Sequence, residues 1–175
     1  MAGFTCGVCG QIHPGLPMDL AYQRPADYFK VPADERARRV KLNSDLCVID
    51  DQEFYIRGVL ALPVQDSTDE FRWGIWARVE ADDFARYLEL YDVEVVDGEP
   101  PFRGRLSGGI KSYPDSDMLE VTVQLQSGGQ RPLFVVADRG HPLGRDQAEG
   151  ISMERVHGFI EDAMPGYFDQ SPQPR

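Results

Sequence analysis

The sequence predicts an α+β fold: a single domain built on a mainly antiparallel β-sheet, with two or three packing helices and an N-terminal Cys-x-x-Cys knuckle. Three observations carry that expectation. Several stretches alternate apolar and polar residues at period two, and two others repeat apolar residues at helical spacing. The strand-like stretches come in runs instead of alternating regularly with helices, which is the pattern of α+β architecture. The chain has 175 residues, comfortable for one domain and short for two.

The elements follow in order. Residues 1–20 contain FTCGVCGQIHPGLP, where Pro14 and Pro17 exclude a regular helix and Gly7, Gly10 and Gly15 permit tight turns. This segment reads as a metal-type knuckle and loop. Residues 26–40 read as short helical pieces interrupted by Pro32. Asp34 and Glu35 open the second piece and Arg36 to Arg39 close it, the polarity that a helix dipole favours. The run 45–50, DLCVID, is a short strand, and Asp50-Asp51-Gln52 is a turn.

Residues 53–64, EFYIRGVLALPV, are apolar on both alternating faces. Phe54, Ile56, Leu60, Leu62 and Val64 share one parity, and Tyr55, Val59 and Ala61 share the other, as expected of a central strand covered on both sides. In 71–79, Phe71, Trp73, Ile75, Ala77 and Val79 fall on one side of a strand. An amphipathic helix follows at about 82–92, opened by Asp82 and Asp83, with Phe84, Tyr87, Leu88 and Tyr91 at i, i+3, i+4 and i+7. DGEPP at 97–101 breaks the chain. Residues 118–126 alternate cleanly, Ser127 to Gln130 form a hairpin turn, and 132–137 return as a strand. The last helix runs from an N-cap at Ser152 to about Ala163, and Pro165-Gly166 stops it. The domain is expected to span 1–169, with 170–175 a flexible tail.

Eighteen Lys and Arg stand against 29 Asp and Glu, a net charge of −11. Such a chain repels phosphate backbones and anionic membrane surfaces, so neither nucleic acid nor membrane is an expected partner. The densest basic run, Arg36 to Lys41, adjoins Asp34 and Glu35. A protein partner is the remaining class, and an acidic surface favours a basic one. Met1 to Cys6 has neither a basic n-region nor an apolar h-region, so no signal peptide is expected. No stretch approaches the ~20 apolar residues of a membrane span. The expected location is the cytoplasm, where three cysteines point to metal or redox chemistry before a disulfide framework. Nothing in the chain fixes an oligomeric state.

Cys6-Gly7-Val8-Cys9-Gly10 is the sharpest chemical signal. A C-x-x-C-G turn aims two thiolates at one ion, which is half of a tetrahedral zinc site. His13 lies four residues after Cys9, and Cys47 sits on a strand that this segment could approach. Cys6, Cys9, His13 and Cys47 make a complete Cys₃His set for Zn2+. The competing reading of Cys47 is a core thiol, favoured by its neighbours Leu46, Val48 and Ile49. A redox reading of the motif is weak, because no helix can start beside Gly10 and Pro14 to lower a thiol pKa. A catalytic zinc on Cys6, Cys9 and His13, with Asp45 or Asp50 as base, stays open, although no H-E-x-x-H is present. His141, in RGHPLG, reads as a surface turn histidine, and His157 as a solvated one on the last helix. Trp73 and Trp76 read as core or half-core residues. Gly108-Gly109 and Gly128-Gly129 are turns, not phosphate cradles.

The set C-x-x-C-G-x-x-H-x-G-L-P at 6–17, SDLCVID at 44–50, FYIRG at 54–58 and WGIW at 73–76 resembles a bacterial family catalogued as domain of unknown function 2199. QRPL at 130–133, HPL at 141–143 and EGI at 149–151 extend the resemblance over nearly the whole chain. The resemblance implies a small bacterial domain in which Cys6, Cys9, His13 and Cys47 belong to one motif set, and it implies no activity. The leading expectation is therefore a zinc-stabilised, non-enzymatic protein-interaction module. Two alternatives are a metal-dependent hydrolase with an open zinc position and an acidic immunity-type inhibitor of a basic toxin.

Overall fold

The structure, a computed structural model, describes residues 16–167, together with the backbone of two short strands before them. Those two strands, β1 (Phe4–Thr5) and β2 (Ile12–His13), pair antiparallel with Phe4 opposite His13 and Thr5 opposite Ile12. The remaining strands are β3 (Asp19–Ala21), β4 (Val40–Leu42), β5 (Leu46–Ile49), β6 (Glu53–Pro63), β7 (Glu70–Val79), β8 (Phe102–Leu106), β9 (Glu120–Gln124) and β10 (Leu133–Val136). The helices are α1 (Ala26–Lys30), α2 (Arg36–Arg39), α3 (Ala81–Leu90), α4 (Pro142–Glu149) and α5 (Met153–Ala163).

The sheet order is β3-β7-β8-β9-β10-β6-β5-β4, and β6 also pairs with β7. That extra pairing closes β6, β7, β8, β9 and β10 into a five-stranded, barrel-like ring. Most pairs are antiparallel, as expected. Two are parallel, β3 on β7 and β10 on β6, so the sheet is mixed. The fold is α+β with five described helices, more than the two or three expected. Closure hides the backbone edges that open strands would leave unpaired.

The β6–β7 hairpin is the spine, with ten cross-strand partners from Phe54↔Val79 to Pro63↔Glu70. Its inward residues Ile56, Leu60, Leu62, Phe71, Trp73 and Ile75 meet Val121, Val123 and Phe134 in the ring's interior. Helix α5 closes one side through Phe159, whose ring lies 5.2 Å from Phe71, 5.5 Å from Trp73 and 5.5 Å from Tyr113. Val31, Cys47, Ile49, Tyr55 and Trp76 form a second, smaller core on the outer face of β5–β7. The two-faced burial read for 53–64 therefore comes from two separate cores.

One histidine expectation needs correction. His157 is buried, not solvated. Val156, His157, Phe159 and Ile160 are all buried, an arc of about 160° at 3.6 residues per turn, so α5 is embedded more deeply than a single apolar stripe implies. His141 sits in a turn as expected, its N–H bonding Asp138 O at 3.3 Å, and it also caps α4, its Nδ1 accepting the Leu143 N–H at 3.1 Å. Helix α4 escapes the sequence pattern because Leu143 is its one large buried side chain. Its other buried residue, Gly144, is packed so closely that a Cβ there would lie 2.1 Å from the Asp138 carbonyl oxygen. Strand β8 was also missed: DGEPP reads as a break, and Gly104 interrupts the five-residue strand that follows.

Candidate functional site

The expected metal ligands fall in different places. Cys6 and Cys9 lie outside the described residues, as does the side chain of His13. Cys47 is described, and it is fully buried. On β5, positions 47 and 49 face away from the ring, where Val31, Tyr55 and Trp76 cover them. Burial, together with the nearby Asp27 carboxylate, pushes the Cys47 thiol up to about 12. Zinc binds the thiolate, so coordination at Cys47 would have to overcome that burial. Among the described residues no three His, Cys, Asp or Glu side chains converge as a metal site.

Asp27 bridges this pocket to the ring. It accepts from Ser107 Oγ at 2.8 Å and from Lys30 Nζ at 2.7 Å. Burial alone would raise its carboxyl, but the bonds from Lys30 and Ser107 outweigh that and hold it below the usual range. Both tryptophans are buried, as expected, and Trp76 Nε1 donates to Tyr22 O at 2.9 Å.

A second constellation was not singled out from the sequence. Asp45, on the turn before β5, accepts from Arg131 Nε at 2.6 Å, Tyr91 Oη at 2.9 Å and Ser44 Oγ at 2.8 Å. Burial raises its carboxyl, but these three donors win and hold it below its ordinary value. Beside it stands Arg57, on the outer face of β6 and only 5% exposed. Its Nη1 makes a long 3.3 Å bond to Ser44 O, and its Nε has no acceptor among the described residues. Burial, and then the charge of Arg131, lower its pKa. A groove of about 410 Å³ opens next to it, lined by Val59, Ala61, Leu133, Gln130, Arg131 and Arg72, with Glu70 and Gln126 at its margin. A single arginine inside the otherwise apolar run YIRGVLAL was the available signal, because buried charges are rare unless paired.

A wider concavity of about 620 Å³ lies over β7–β9, but its charges balance. Arg78 pairs with Glu53 at 2.9 Å and Arg103 with Glu120 at 3.8 Å, at exposed positions where such pairs count for little. No described helix is long and apolar enough to cross a membrane.

No match is found among curated proteins or among solved structures. Residues 5–151 do match a family described as an uncharacterized protein conserved in bacteria, DUF2199. That span takes in the Cys-x-x-Cys motif, the five-stranded ring, Arg57, Arg131 and helix α4, and the chain belongs to this family.

Proposed function

We infer that the chain is a zinc-stabilised, non-enzymatic interaction module. The reading is supported by the Cys-x-x-Cys motif, which lies in the sequence between β1 and β2, and by the antiparallel pairing of those two strands. Two thiolates in a Cys-x-x-Cys spacing are half of a tetrahedral zinc site, and metal binding supplies folding energy to a short segment. Cys6, Cys9 and His13 are the primary ligands in this reading. Cys47 joins them only if the cover of Val31, Ile49, Tyr55 and Trp76 opens. The carboxylates nearest the cores are committed to structural bonds, Asp27 to Ser107 and Lys30, Asp45 to Arg131 and Tyr91, and Asp146 to Tyr113. That favours binding over turnover. The net charge of −11 favours a basic protein partner.

The test is zinc per chain on protein purified without chelator, for the parent, Cys6→Ser and Cys47→Ser. One zinc, lost in Cys6→Ser and kept in Cys47→Ser, is the expected result. Loss in both would assign the full Cys₃His set. Parent protein without zinc would end the reading.

A further inference from the structure

We propose that the edge strand β4 and the groove beside α3 bind an extended, basic segment of a protein partner that carries an apolar side chain at its centre. This proposal rests on the reading of the chain as an interaction module, and it names the surface.

The sheet edge is the first argument. Strand β4 ends the sheet, and among the described residues no strand pairs with its outer side. Rungs of an antiparallel pair alternate between bonded and non-bonded. Asp50 N–H donates to Arg39 O at 2.8 Å and Asn43 N–H to Leu46 O at 3.0 Å, so residues 39, 41 and 43 turn their backbone groups toward β5. Leu42, between two of them, turns its N–H and C=O outward. Val40 N–H is already taken by Arg36 O, which leaves Leu42 N–H as the donor at this edge. An extended peptide joins a sheet by pairing with such groups.

The groove is the second argument. Helix α3 lies over β6, with the Phe84 ring 5.1 Å from Phe54. Between α3 and β4 a groove of about 330 Å³ remains, lined by Leu46, Val48, Phe84 and Leu88, with Leu42 and Lys41 at its sheet edge. Leu88 is 47% exposed there. The groove is at the small end of ligand pockets, which suits one anchoring side chain from a strand added beside β4.

Charge sets the partner's sign. At about 100° per residue, Asp82, Glu89 and Asp92 stand on the solvent side of Leu88, above the groove. Asp82 and Asp92 have no ion pair among the described residues, and Glu89 meets only the exposed Arg86, at 2.7 Å. The one cation at the groove, Lys41, is matched by Asp51 at 2.5 Å. The uncompensated charge beside the groove is therefore negative. In an extended segment, side chains two positions from the anchor share its face, so a Lys or Arg there reaches these carboxylates.

The test titrates the full, isotope-labelled chain with the capped peptide Arg-Thr-Arg-Thr-Leu-Thr-Arg-Thr-Arg, and separately with the same peptide carrying Glu for each Arg. Saturable amide shifts at Leu42, Leu46, Val48 and Leu88 are expected with the basic peptide, weakening as salt is added. Leu42→Pro removes the outward N–H while sparing the bonds to β5, and should weaken binding at least fivefold. Leu88→Ser alters an exposed residue and should do the same even if Leu42→Pro does not fold. No saturable shift, equal binding of the acidic peptide, shifts centred elsewhere, or unchanged affinity in Leu88→Ser would each overturn the site. Self-association of the free chain that Leu88→Ser abolishes would give the groove to a second copy and overturn it too. Zinc per chain is measured on the same samples: a zinc-loaded chain that ignores the peptide ends this site alone, and a zinc-free chain that binds it ends the zinc reading alone.

Discussion

Phe134 occupies the space that a side chain at position 58 would need: a Cβ on Gly58 would lie 2.4 Å from the Phe134 ring. The contact sits where β10 meets β6 in parallel, next to the Leu133↔Val59 pair that closes the ring. Glycine at 58 is therefore a packing requirement, and its backbone needs no unusual conformation. Gly58→Ala is expected to destabilise by about 1–3 kcal/mol, the range for overpacking a filled core. Phe134→Leu in the same chain should recover part of that loss. A double-mutant cycle by denaturant unfolding checks it, and additive effects would contradict the packing account.

The parallel closure also depends on Gln147 of α4. Its Oε1 accepts the Val136 N–H at 2.8 Å, and its Nε2 donates to Phe134 O at 2.9 Å and Ala61 O at 3.4 Å. One amide thus ties β10, β6 and the helix together. Gln147→Leu keeps the volume but leaves those backbone groups without a partner, at about 1–3 kcal/mol. Faster hydrogen exchange at Val136 should accompany the loss. Unchanged protection there would show that the seam holds without it.

Asp45 contributes to the acid side of the stability curve. Its carboxyl titrates lower in the folded chain than in the unfolded one. Its contribution is thus fully present above the ordinary carboxylate range and is lost as pH falls through the folded value. Asp45→Asn removes the charge that Arg131 faces and should cost about 1–3 kcal/mol at neutral pH. The penalty should shrink as pH falls toward the folded value. Thermal midpoints of both proteins across that range measure the difference. A gap independent of pH would mean that Asp45 acts by shape alone.

Cys47 should be inert to thiol reagents in the native protein. With Cys6 and Cys9 replaced by serine, the remaining thiol is buried and pushed up to about 12. Reaction with an aromatic disulfide near pH 8 should wait for unfolding, because only the thiolate attacks. Rapid stoichiometric labelling of folded protein would mean that the pocket opens readily, and that Cys47 is available to a metal.

The Tyr113 hydroxyl, 2.5 Å from Asp146 Oδ2, pins the loop after β8 to α4. Arg155 stacks over the same ring at 5.1 Å. Tyr113→Phe is expected to cost about 1–2 kcal/mol with the ring stacking retained. Equilibrium unfolding checks the size, and a change below a few tenths of a kcal/mol would assign the loop's anchoring to packing.

Much of the fold could be read from periodicity. The long hairpin strands, β9, β10, α3 and α5 all carry apolar residues at strand or helix spacing, and those are the elements whose one face meets a core. Helix α4 and strand β8 carry little such pattern. Leu143 is the one large buried side chain on α4, and Gly104 interrupts β8. Asp50 and Asp51, both at φ 53, show how a turn could be located from its residue types without its left-handed geometry being foreseen.

The sequence by itself determined the α+β class, the two-faced character of β6 and the burial of both tryptophans, because each follows from local spacing and side-chain polarity. Its Cys-x-x-Cys motif pointed to zinc on chemistry alone. Only the tertiary structure decided that β10 returns to β6 in parallel and closes a ring, that His157 is buried, and that Arg57, Asp45 and Arg131 meet. The last two of these stand 86 residues apart in the chain. Contacts across such separations depend on how the strands are ordered in the sheet, and no periodicity along one segment carries that order.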